Sequence, residues 1–152
     1  MGAAWIAFAN DPLWGARFEA LLEAAKRLRD DGHPEAAIVT AHTACEVCTE
    51  RVMTETFLRR RIDYLSDPLG RLLPNYNIGN DRVRKIYEAV TNDSIAADNA
   101  RWQRFQQHVK KRHGVVHRGQ EATRSDADAD ASITVVEEVI EHVRRHYYDT
   151  WL

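Results

Sequence analysis

Cysteine is scarce in this chain: Cys45 and Cys48 are the two thiols in 152 residues. Spaced as CxxC, they lack the neighbouring βαβ pattern that a redox motif needs. They also lack the second Cys/His cluster that a four-ligand zinc site needs. Placed on a helix, Ala41, Cys45, Cys48 and Val52 fall in one narrow stripe, as buried thiols of a core do. Long apolar runs are absent as well. The stretch Ala3–Ala9 is too short to span a bilayer and has no basic region before it, which excludes an anchor or signal peptide there. Ile6 stands where N-myristoylation after Gly2 would want Ser or Thr. No segment alternates with a period of two, and no repeat or low-complexity tract interrupts the chain. These absences predict a cytoplasmic protein without a membrane partner and without β-structure.

What is present reads as helix. Hydrophobic residues make up 44% and charged residues 29%, a globular balance that residues 1–152 can fold into one domain with a real core. Trp14, Phe18, Leu21, Ala25 and Leu28 repeat at three- and four-residue intervals between Pro12 and Gly32. Pro34 opens a longer helix reaching about Ile62 or Leu65. From Ser66 to Asn80, Pro68, Gly70, Pro74, Asn75, Asn77 and Gly79 predict a loop long enough to be functional or mobile. Val83, Ile86, Tyr87 and Val90 make a short third helix. A fourth runs from about Asp98 to Arg112, with Trp102, Phe105 and Val109 on its inner face. Ser125–Asp128 supply a cap and acidic first turn for a last helix carrying Ile133, Val136, Ile140, Val143 and Tyr147 inward. The expected fold is all-α, an up-and-down bundle of four to five helices.

Charge is the third informative scarcity. The chain has a net charge of only −2, yet residues 101–118 contain no acidic side chain. That window holds Arg101, Arg104, Lys110, Lys111, Arg112, Arg118 and three histidines. Positive charge concentrated on one element predicts an anionic partner, phosphate above all. Within it, Arg112-His113-Gly114-Val115-Val116-His117 sets a guanidinium and an imidazole about one helical turn apart. Together these groups can grip phosphate oxygens bidentately and move a proton at neutral pH.

The segment Arg112 to Gly119 resembles the signature of HEPN domains: Arg, a polar residue, a short spacer, then His. The context is similar too, with the motif after a late helix and before the last one. The segment Ala41-His42-Thr43-Ala44-Cys45-Glu46-Val47 resembles a pattern of the family's long second helix, whose glutamate approaches the motif. The likeness covers about Ala16 to Val143. One departure is His113, where many members have Asn. The resemblance implies metal-independent RNA cleavage through 2′-hydroxyl attack, by a homodimer that faces two motifs across one cleft. Arg112, His117, His113 and Glu46 would form its catalytic set, with no metal and no cofactor. Lys110, Lys111, Arg118 and Arg104 would form an RNA-binding rim. It also implies a toxin or defence effector, held by an antitoxin or other partner protein. The alternative is a non-catalytic HEPN-like module binding RNA, a nucleotide or a partner.

Plainer roles exist for the same residues. Arg112 could cap the last carbonyls of its helix, with Gly114 as the left-handed stop. Glu46 falls on the side of its helix that carries His42, Met53 and Phe57, and Arg112 or His117 would be a sensible partner for it. Arg59-Arg60-Arg61 reads as a helix-end charge run. His33, His108, His142 and His146 show no metal spacing and receive no role.

Overall fold

A computed structural model describes residues 17–118 and 124–152. They form six α-helices and, among the described residues, no strand. The helices are α1 (Arg17–Asp30), α2 (Pro34–Arg59), α3 (Ser66–Leu72), α4 (Asp81–Thr91), α5 (Asn99–Arg118) and α6 (Asp126–Trp151), with 3-10 turns at Asp63–Leu65 and Ile95–Ala97. Trp14, expected in the first helix, lies outside the described residues.

The boundaries follow local chemistry. Pro34 sits in the first turn of α2, where its missing N–H costs nothing. Gly32, at φ +81°, turns the chain from α1 into α2 in a conformation that L side chains avoid. Asn80 caps α4 by accepting from the backbone N–H groups of Arg82 and Val83 at 3.0 and 3.3 Å. Ser125 and Asp128 form a reciprocal capping box at the start of α6.

Ion pairs give the directions. Lys26–Glu137 (2.9 Å), Arg29–Asp130 (3.0 Å) and Arg144–Glu19 (3.3 Å) lay α1 antiparallel to α6. Arg104–Glu138 (2.6 Å) and Lys111–Asp128 (3.3 Å) lay α5 antiparallel to α6 as well. The tight turn after α1 reverses α2, so α2 and α6 run parallel and α5 runs against both. These two longest helices pack against each other, and α1 and α5 each contact both. The result is the expected up-and-down bundle, with α3 and α4 in the connection from α2 to α5. Its core joins Ile38, Cys45, Val52 and Phe57 of α2 to Val136, Ile140 and Val143 of α6, under Phe18 and Phe105. Both cysteines are buried and free. Burial pushes the Cys45 thiol up to about 12 and Cys48 well above its usual value, so they act as inert core groups.

Two expectations need correction. The stretch Ser66–Asn80 is not one loop, because Ser66–Leu72 is helical. Pro68 falls within its first turn, where no intrahelical N–H bond is lost. The remainder is fastened down, with Ile78 wholly buried and Gly79 so close to α5 that a Cβ would lie 2.6 Å from Val109. The fourth helix also does not stop near Arg112; α5 continues through Gly114 to Arg118. Gly114 is not a left-handed stop. Its missing side chain admits Arg124, whose Nη2 would be 3.1 Å from a Cβ there.

Candidate nucleic-acid interface and a buried histidine pair

Because α5 is continuous, its side chains are sorted by helical angle. Gln103, Gln107, Lys110, His113 and His117 recur at three- and four-residue steps and are all exposed. His113 and His117, four residues apart, hold their rings 4.3 Å between centroids. Lys110 on the same stripe has, among the described residues, no carboxylate within 4.0 Å. Val116 beside it is 47% exposed, an apolar residue without cover.

Arg112 goes elsewhere. Five residues on a helix correspond to about 140° of rotation, so Arg112 and His117 leave α5 in different directions. The arginine is half-buried, and its buried Nε has no hydrogen-bond partner among the described residues. The structure therefore brings His113 to His117, and Arg112 toward His108 one turn earlier.

His108 faces the core and meets His42 of α2, Nδ1 of His42 lying 3.0 Å from Nε2 of His108. Both rings are 1% exposed and both pack against Phe105. Behind them Glu46 Oε1 approaches His42 Nε2 at 3.3 Å, close enough for charge attraction though outside good hydrogen-bond geometry. Burial above all, then His42, Lys111 and Arg112, depresses His108 to a pKa of about 3, so its ring is neutral. Glu46 thus has a partner other than the expected Arg112 or His117. Since α2 and α5 are antiparallel, Glu46 and Arg112 flank the histidine pair from opposite sides. Side chains lean toward their own helix N-terminus, so both lean back toward it. His108 received no role from sequence, yet it stands three residues after Phe105 and four before Arg112, on the buried stripe. That register was its only signal.

Fold contacts also temper the basic window. Arg104 is held by both oxygens of Glu138 (3.0 and 2.6 Å) and Lys111 by Asp128. Arg101 donates to the Ile95 carbonyl at 3.3 Å. The side chain of Arg118 lies outside the described residues. Lys110 with the His113–His117 pair is what remains open to a ligand on α5.

A second polar cluster ties α4 to α6. The Tyr87 hydroxyl donates to Asp93 at 2.7 Å, and His142 Nε2 sits 2.9 and 3.0 Å from its two oxygens. His146 Nε2 lies 2.9 Å from the Thr91 carbonyl. Burial alone would push the Asp93 carboxyl up; the bonds from His142 and Tyr87 outweigh it and hold the group below its ordinary value. His142 and His146, assigned nothing from sequence, fasten the end of α4. Among the described residues no group of three or more His, Cys, Asp or Glu is arranged to hold a metal. No described helix is long and apolar enough to cross a membrane.

Comparison with known proteins finds no matching family model, no matching curated protein and no matching solved structure.

Proposed function

We propose that this protein is a metal-independent endoribonuclease of the HEPN type that works as a homodimer. The observation that carries the reading is the His113–His117 pair, two imidazoles 4.3 Å apart on an exposed stripe with Lys110. Cleavage by 2′-hydroxyl attack needs a base for that hydroxyl and an acid for the leaving 5′-oxygen. The 2′-oxygen bonds to phosphorus as the P–O5′ bond breaks, giving a 2′,3′-cyclic phosphate and a 5′-hydroxyl. Imidazoles suit both proton transfers, and Lys110 adds charge for the phosphate oxygens. In-line attack places base and acid on opposite sides of phosphorus, whereas adjacent rings on one helix share a side. A second copy facing the first supplies the other side, with Val116 as an apolar contact. An isologous interface of roughly 1,600 Å² is ordinary for a stable dimer.

One observation favours the rival reading of a non-catalytic RNA-binding module: Arg112, the phosphate fork of the motif, turns inward away from His117. Cleavage assays in EDTA separate the two. The nuclease leaves 2′,3′-cyclic phosphate or 3′-phosphate ends. In mixtures of wild type with His117→Ala chains its activity falls as the square of the wild-type fraction. RNA binding without cleavage establishes the module instead, and 3′-hydroxyl ends or a linear decline rule out the shared site.

A further inference from the structure

Between α5 and α6 lies a cavity of about 300 Å³. His108 and Ser132 line it, each 1% exposed, and among the described residues His108 Nδ1 and Ser132 Oγ find no partner. Two unsatisfied buried polar atoms on one cavity are uncommon in a folded chain and mark a place for an outside partner. We propose that this cavity is a nucleobase pocket for the RNA of the reading above, on which it rests, and that His108 Nδ1 and Ser132 Oγ read the edge of one base.

The buried chain defines what the pocket accepts. His108 Nε2 lies 3.0 Å from His42 Nδ1 and is taken up by that contact. Nδ1 is then the ring atom of His108 left for a ligand. Burial keeps that ring neutral. The floor therefore offers one nitrogen of a neutral imidazole beside a hydroxyl that both donates and accepts. A neutral ring brings no charge to a carboxylate or phosphate, and the nearby cations Lys111 and Arg112 oppose a metal ion or amine. A neutral heterocycle, whose edge carries both donors and acceptors, meets both groups. The volume sits at the small end for ligand sites, enough for one base. At the rim, Arg104 and Lys111 are held by the partly exposed carboxylates of Glu138 and Asp128. Gln107 belongs to both the pocket wall and the exposed stripe, so a strand can run from the histidine pair to the pocket.

The test is titration of the full chain with AMP, GMP, CMP and UMP, followed by NMR of backbone amides and histidine nitrogens. The expected result is a shift of His108 Nδ1 and of the amides of Ser132 and Thr134, with at least one base preferred over the others. Ser132→Val fills the floor and removes the hydroxyl. Thr134→Trp closes the exposed mouth without touching the core. Each should weaken the preferred nucleotide about tenfold or more, the loss of one desolvated hydrogen bond or of access. Ribose 5-phosphate binding as well as the nucleotides, or shifts that bypass Ser132 and His108, overturns the pocket. A protein that cleaves RNA but ignores all four nucleotides overturns the pocket alone. One that binds a nucleotide here but leaves RNA intact overturns the nuclease reading alone.

Discussion

Two histidine pairs meet on α5, and they sit in opposite environments. His113 and His117 lie on one exposed stripe, their rings tilted at 42° and open to solvent. His42 and His108 face each other across two helices in the core, where burial drives His108 down to about 3. The residue type is the same and the ring separation differs little, 4.3 against 5.2 Å. Solvent makes the difference. An imidazole in water can change charge during a reaction, whereas His108 inside the bundle is held against His42 and kept neutral by burial.

That contrast breaks most sharply under single substitutions. His117→Ala should cut RNA cleavage at least about a hundredfold, the low end for general acid–base catalysis, with an unchanged thermal midpoint. Equal cleavage by the variant would remove the exposed pair from the chemistry. His42→Ala should act the other way, destabilising the fold by about 2–4 kcal/mol in urea unfolding through a cavity and an orphaned His108. The double change His42→Leu with His108→Leu should recover part of that loss, because replacing both rings leaves no imidazole nitrogen orphaned. If the double variant is as unstable as the single one, the pair is held by something other than its hydrogen bond.

Acid should expose the same contrast more gently. The folded pKa of His108 lies below the unfolded value near 6.5. Between about 3 and 6.5 the unfolded chain therefore binds more protons, and stability falls as pH falls across that window. Asp93 acts in the same direction lower down: its depressed carboxyl stabilises the fold above its unfolded pKa and ceases to as pH drops through the folded one. Denaturant melts from pH 7 to 4 should show the decline, and His108→Phe should flatten it. A profile identical to wild type would mean His108 does not titrate between the two states.

The smallest effect concerns the basic residues. Lys110→Ala should weaken RNA binding and reduce the slope of log affinity against log salt by about one. Arg104→Ala should change that slope less, because Glu138 already occupies its guanidinium. Equal slopes for the two variants would show that RNA displaces Glu138.

The helices were legible because their causes are local. Periodic apolar residues, Pro34 at a first turn, and the Ser125–Asp128 box need no partner to act. Ser66–Leu72 escaped notice because proline and glycine in a short helix look like loop punctuation until their position in the turn is known. Gly114 is similar: locally it signals a stop, whereas in the fold it lies buried in mid-helix with the Arg124 side chain over it.

The sequence by itself determined an all-helical bundle, its long elements, and a basic, histidine-rich late helix, since spacing and composition act within one element. Only the tertiary structure decided which of those groups remain available. Antiparallel packing brought Glu138 and Asp128 to Arg104 and Lys111, cancelling charge that the window alone presents as free. It also set His42 against His108, 66 positions apart in the chain. Such pairings depend on the register between helices, which the whole core sets and no local stretch of residues encodes.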